Sequence, residues 1–140
     1  MKAGTDYIGV GLGALIVNEK DEILFMKRGA KAKNEIGCWA LIGGALDFGE
    51  TLEQGIIREV FEEANIKIKV DSQIPSYDHI LPEENQHWVA HVFVTHIIEG
   101  EPKNMETEKC EEIAWFPKNN LPHPIAKMSQ KAIEYFINKN

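Results

Sequence analysis

The 140-residue sequence predicts an α+β fold in which several strands combine with two helices. Three observations predict it. Apolar residues recur in short β-type runs, as in IGVGLGALIV (Ile8 to Val17), EILFMK (Glu22 to Lys27) and the stretch from Trp88 to Ile98. Two segments, Thr51 to Ala64 and Ile125 to Ile137, carry the spacing of an amphipathic helix instead. No internal repeat, low-complexity tract or Pro/Gly/Ser-rich linker divides the chain, which predicts a single domain over residues 1–140.

The elements follow in order. Ile8 to Val17 reads as a buried strand with Gly9, Gly11 and Gly13 on one side, and glycine in a strand marks the close approach of another group. Asp6 precedes this run, the charged NEKDE follows it and no small-residue cleavage site appears, so a buried strand is expected here in preference to a signal peptide. It is also too short to span a membrane. Asn18 to Asp21 has turn chemistry, and Glu22 to Lys27 is the returning strand. Arg28 to Gly37, polar and closed by glycine, is expected to be a mobile loop, and Trp39 to Ile42 leads into Gly43-Gly44. Thr51 is the N-cap of the first helix, Gln54 completes a capping box, and Asn65 ends the helix in a left-handed conformation. Ile66 to Val70 and Ser76 to Leu81 are short strands, and LPEEN (Leu81 to Asn85) is a turn. Trp88 to Ile98 is a long strand, Gly100 to Cys110 a charged loop and Glu112 to Phe116 a short strand. Ile125 to Ile137 forms the last helix, with Ile125, Met128, Ala132, Ile133 and Phe136 toward the core.

Composition narrows the function. With 44% apolar and 26% charged residues the chain is of soluble globular type. A net charge of −7 disfavours a nucleic-acid polymer as partner. It leaves room for a small anionic substrate, because a bound divalent cation inverts the local field. Cys38 and Cys110 form neither a CxxC pair nor a zinc spacing, and are expected to be reduced thiols of a cytoplasmic protein.

The first helix holds the chemistry. With Leu52 at zero and about 100° per residue, Leu52, Ile56, Ile57, Val60, Phe61 and Ala64 cover one half of it. Glu59, Glu62 and Glu63 share an arc of roughly 100° at the edge of that half. Three carboxylates at i, i+3 and i+4 repel one another unless something positive sits among them. A hard divalent cation suits such a set, with a backbone carbonyl from the glycine loop as a further ligand. On spacing alone a solvated acidic face, with Arg58 and Glu62 as an i,i+4 pair, is the simpler account. Gly55 lies inside the same arc and costs about 1 kcal/mol relative to alanine. It implies close approach by ligand or backbone, for which Gly43 and Gly44 are the candidates.

GGALDFGETLEQGIIREVFEEANI (Gly43 to Ile66) resembles the signature of the Nudix hydrolases, G-x5-E-x7-R-E-U-x-E-E-x-G-U with U aliphatic. Gly44, Glu50, Arg58-Glu59, Val60, Glu62-Glu63 and Ile66 match it, while Asn65 stands where the family has glycine. Asparagine tolerates the left-handed turn, so this departure concerns geometry and not chemistry. Just upstream, LIGG (Leu41 to Gly44) replaces the frequent LPGG. The glycine-rich first strand, Lys27-Arg28, Trp39, the Glu101 to Phe116 stretch and the closing helix are similar to MutT-type members, so the resemblance covers most of the chain.

The resemblance implies a Nudix-type α/β/α sandwich with a mixed β-sheet between helices. It also implies a Mg2+-dependent pyrophosphohydrolase, with Mn2+ able to substitute, acting on a nucleoside diphosphate linked to another moiety. A (deoxy)nucleoside triphosphate, cleaved to monophosphate and pyrophosphate, is the first expectation. The alternatives are an ADP-ribose or nucleotide-sugar pyrophosphatase and, in another class, a catalytically silent nucleotide-binding regulatory module. By position Glu59, Glu62 and Glu63 hold the metal with the Gly44 carbonyl assisting, and Glu50 pairs with Arg58 to orient the loop. A further glutamate before the Trp115 strand serves as ligand or general base, Glu108 first and Glu106 second. Arg28 is the candidate for a phosphate and Trp88 for stacking on a base. His87 and His91 share a strand face but lie roughly 13 Å apart, too far for one ion. No Ser/His/Asp arrangement or P-loop is visible. The expected partner is a small nucleotide, with no membrane, and the protein is expected to be a monomer or homodimer.

Overall fold

A computed structural model describes residues 1–139; Asn140 of the expected domain lies outside them. Eight strands and two helices run in the order β1 (Gly9–Ile16), β2 (Glu22–Arg28), β3 (Trp39–Ala40), β4 (Ile42–Ala45), α1 (Leu52–Ala64), β5 (Lys67–Gln73), β6 (Tyr77–Leu81), β7 (Gln86–Glu99), β8 (Cys110–Pro117) and α2 (Lys127–Lys139). The expected LPEEN turn is a single 3-10 turn over Pro82–Glu84, closed by Asn85 in the left-handed region.

The strands divide between two sheets, where one mixed sheet was the expectation. In the larger, β1 runs parallel to β7 and antiparallel to β4, and the far edge of β7 is covered by β6 and then β5, both antiparallel. The smaller is the antiparallel set β3-β2-β8. The chain crosses from one sheet to the other at Leu41, whose N–H is taken by the Ser129 hydroxyl of α2 at 3.0 Å. That crossover delivers Gly43 and Gly44 to the edge of β1.

The two-residue period of the strands builds two cores. Ala14 and Ile16 of β1 with Leu24 and Met26 of β2 pack with Ile56, Val60 and Ala64 of α1. The alternate residues Leu15, Ile23 and Phe25 pack with Ala132 and Ile133 of α2. The strands therefore lie between two helices, and the α/β/α layering is the consequence of burying both faces.

Two helical expectations shift. α2 begins at Lys127 and not at Ile125, because Pro124 to Ala126 pair with the exposed edge of β3. Trp39 N–H donates to the Pro124 carbonyl and Ala126 N–H to the Trp39 carbonyl, both at 2.8 Å. Phe61, expected in the apolar half of α1, is 49% exposed. The buried stripe centres near Val60, and Phe61 lies roughly 100° from it around the helix.

Candidate functional site

The start and end of α1 are set locally. The Thr51 hydroxyl accepts from Gln54 N–H at 3.1 Å while the Gln54 side chain accepts from Thr51 N–H at 2.9 Å, a closed capping box. Asn65 ends the helix at φ 55°, as its position in the sequence predicts. The 100–109 loop folds back on this end, with Lys103 N–H donating to Ala64 and Met105 N–H to Glu63. Those two bonds decide which loop glutamate reaches the helix. Glu106 follows directly and lines a cavity shared with Glu59, Glu62 and Glu63, whereas Glu108 is exposed and outside the lining.

Burial of the three helix carboxylates follows their angle from the Val60 stripe. Glu63, closest to the stripe, has its Oε2 fully buried; the side chain of Glu59 is 15% exposed and that of Glu62, farthest away, is 52% exposed. Removal from water pushes the Glu63 carboxyl up to about 8, helped by repulsion from Glu59 and Glu106 and opposed by a backbone hydrogen bond from Gly43 and by Arg28. Glu59 is also raised, chiefly by burial, against the pull of its hydrogen bond to Arg58.

Arg58 is the positive group that the carboxylate cluster requires. Its Nε and Nη2 grip both oxygens of Glu50 at 2.7 and 2.8 Å. Nη1 reaches Glu59 at 3.0 Å and Glu62 at 3.1 Å, and Nη2 donates to the Ala45 carbonyl at 3.1 Å. The bidentate pair holds the Glu50 carboxyl down at about 2. Glu50 also accepts from Asp47 N–H at 2.8 Å, so the pair shapes the 46–50 loop onto the helix. The i,i+4 pair between Arg58 and Glu62 is thus real, but it is the outer contact of a larger network.

The glycines explain themselves by what a Cβ would meet. At Gly44 it would overlap the Glu59 carboxylate, and at Gly43 the main chain of Leu12. At Gly55 it would meet Leu12 and Leu46 at 2.6 and 2.9 Å and the Glu50 carboxylate at 3.1 Å. Close approach at Gly55 is therefore by two leucines and Glu50, and not by Gly43-Gly44. On β1, Gly9 gives way to the Trp88 ring, while a Cβ on Gly13 would lie 3.2 Å from Val92.

Among the described residues no three His, Cys, Asp or Glu side chains already converge as a closed ligand set, since Arg58 holds Glu59 and Glu62. The donors nevertheless fit a divalent cation. Glu63 Oε2 is buried without a hydrogen-bond partner, and Gly44 leaves the Glu59 carboxylate room against the strand. His79 Nε2 and Thr95 Oγ1 are likewise unpartnered, but neither lines the cavity.

The cavity measures about 480 Å3. Its floor is the shared face of β1 and β7, where Gly11, Gly13, Ala90 and Val92 keep the surface low. One end carries the carboxylates and the other Trp88, Gln86 and Tyr77. Trp88 is fixed from behind: its Nε1–H donates to Gln86 at 2.7 Å, Gln86 donates to Thr5 at 3.0 Å, and Gly4 and Gly9 leave space for the ring. His87 belongs to the opposite face of β7 and is outside the lining. Arg28 lines the cavity, but its Nε and Nη2 both donate to Asn34, at 2.8 Å each. A second cleft of about 620 Å3 lies at the far end of β1 between Val17, Lys20, His96 and Trp115, away from these carboxylates. No helix among the described residues is long and apolar enough to cross a membrane, and both cysteines are unpaired thiols.

Comparison with known proteins matches residues 8–136 to the NUDIX domain. The chain belongs to the NUDIX domain family. It is 36% identical over 107 residues to an ADP-ribose pyrophosphatase of Methanocaldococcus jannaschii, covering 76% of this chain and 61% of that protein. It is 30% identical over 115 residues to the human 8-oxo-dGDP phosphatase NUDT18, covering 80% of this chain and 33% of that protein. The chain thus spans less than two thirds of either relative. The crystal structure of a MutT NUDIX hydrolase from Burkholderia pseudomallei superposes with a TM-score of 0.86 at 36% identity, over 93% of this chain and 98% of that one. The Nudix fold is therefore common to both, and the carboxylate helix is the segment that carries the family signature.

Proposed function

We propose that this Nudix domain hydrolyses the pyrophosphate linkage of a nucleoside diphosphate derivative, with a (deoxy)nucleoside triphosphate as first substrate class and Mg2+ or Mn2+ as cofactor. One observation carries the reading: a buried, unpartnered Glu63 oxygen beside Glu59 and Glu106 in a cavity whose other end presents an anchored tryptophan. Glu59, Glu62, Glu63 and the Gly44 carbonyl would hold the ion. Bound there, a divalent cation supplies Lewis-acid activation of water and of a phosphoryl oxygen and offsets the charge of the substrate.

The chain's own residues do the rest. Glu106 takes the place that spacing gave first to Glu108, as further ligand or as the base that accepts a proton from water. Arg58 stays on Glu50 and keeps the 46–50 loop and α1 in register while releasing Glu59 and Glu62 to the ion. Trp88 stacks on the base. Arg28 acts through Asn34 on the loop and not on the phosphate directly.

A second reading, ADP-ribose as substrate, is favoured by the name of the archaeal relative. A panel of triphosphates, 8-oxo-dGTP, nucleotide sugars and ADP-ribose with Mg2+ or Mn2+, read as phosphate or pyrophosphate release, decides between them. No turnover on any member with either ion would sink the enzyme reading in favour of a silent nucleotide-binding module. Glu62→Gln is expected to lower kcat at least about 100-fold with an unchanged circular dichroism spectrum. Turnover near the native rate would reject its assignment to the ion.

A further inference from the structure

Two loops, 29–37 and 100–109, line the cavity beside the C-terminal end of α1, and neither is free. Gly29 N–H donates to the Lys109 carbonyl at 2.8 Å and Gly37 N–H to Arg28 at 2.7 Å. Arg28 grips Asn34, and the Glu35 carboxylate accepts from Lys127 N–H at the start of α2 at 2.8 Å. Lys109 sits on the same turn as Glu106, its N–H bonded to the Glu106 carbonyl at 3.0 Å. The loop expected to be mobile is thus tied at its base, its middle and its tip.

This wall carries the cavity's cations: Arg28, Lys33 and Lys109. Arg28 is committed to Asn34. The ammonium groups of Lys33 and Lys109 make no hydrogen bond or ion pair among the described residues, although Glu59, Glu62, Glu63 and Glu106 line the same cavity. An exposed lysine is ordinary. Two lysines lining one cavity, neither paired with the carboxylates that line it too, are available to an anionic ligand.

We propose that Lys33 and Lys109 form a clamp for the distal, multiply charged phosphates of a nucleoside triphosphate, and that Arg28 is a positioning residue that sets the loop bearing Lys33. The proposal rests on the nucleotide reading above and deepens it: it selects a triphosphate over a substrate whose far end is an uncharged sugar. A diphosphate linked to ribose presents nothing at that wall that needs two ammonium groups, whereas the terminal phosphates of a triphosphate do.

The test uses binding, so that it does not depend on turnover. Affinities of the α,β-imido analogue of dGTP and of ADP-ribose are measured calorimetrically with Mg2+ for the native protein, the Lys33→Ala/Lys109→Ala double variant and Lys31→Ala, an exposed control outside the cavity lining. The double variant is expected to bind the triphosphate analogue at least about tenfold more weakly while ADP-ribose changes less than about threefold, and Lys31→Ala changes neither. Equal losses for both ligands, no loss for either, or a native protein that binds ADP-ribose but not the triphosphate analogue would overturn the clamp. The substrate panel above answers the separate question of whether the protein is an enzyme. For Arg28, Arg28→Lys is expected to keep more triphosphate selectivity than Arg28→Ala; identical behaviour would remove its positioning role.

Discussion

Gly43 and Gly44 are neighbours with different duties, and alanine separates them. At Gly43 the new methyl would run into the main chain of Leu12, which cannot move without breaking the β1–β4 pairing. Gly43→Ala is expected to cost about 2 kcal/mol or more and lower Tm by roughly 6 °C or more. At Gly44 the atoms nearest the methyl are the end of the Glu59 side chain, which can swing away. Gly44→Ala is therefore expected to keep Tm within about 2 °C of native while weakening Mg2+ binding and turnover at least about tenfold. Thermal unfolding and Mg2+-dependent kinetics of the pair check this; matched effects in both assays would refute the division. Residue identity was legible where spacing alone governs it: Thr51, Gln54 and Asn65 sit in the conformations that the sequence predicts. Which of Glu106 and Glu108 lines the cavity was not legible, because it depends on where Met105 N–H lands on the end of α1.

Within α1 the bidentate Glu50–Arg58 pair couples the helix to the loop before it. The Glu50 carboxyl titrates at about 2 in the fold against an ordinary value of 4.5. Its folded value is depressed, so its contribution to stability is present above pH 4.5 and is lost as pH falls toward 2. Native protein should therefore lose Tm between pH 4.5 and 2.5 more steeply than Glu50→Gln does; parallel Tm curves would show that the pair carries no linkage. The helix itself was legible from its period and cap. Its neighbours were less so: α2 starts late because Pro124 to Ala126 act as an added strand on β3, a pairing between residues about 85 apart that no local pattern announces.

At the scale of the molecule, both faces of β1 and β2 are buried against different helices, and this was readable in their unbroken apolar runs. The split into two sheets was not, because it turns on the crossover at Leu41 and its bond to Ser129. The cavity lies where the larger sheet meets the end of α1, so an ion bound there joins β4 to α1 and should stabilise the whole fold. Mg2+ at about 100 times its Kd is expected to add about 2.7 kcal/mol, read as a rise in Tm. Glu63→Gln should lose most of that gain while unfolding no earlier than native without metal, since burial already holds the metal-free Glu63 carboxyl largely protonated at neutral pH and glutamine replaces it with a neutral group of the same shape. A full Mg2+ shift in the variant would exclude Glu63 from the ion.

The anchoring of Trp88 has an evolutionary consequence. Its ring is held by Thr5 through Gln86 and fits in the space left by Gly4 and Gly9, and none of these residues belongs to the carboxylate helix. If Trp88 stacks on a base as proposed, substitutions in the first few residues would tilt the indole and shift base preference without touching the carboxylate helix, some fifty residues later. On that reading, preference would drift between lineages by mutations that a comparison of signatures would never register.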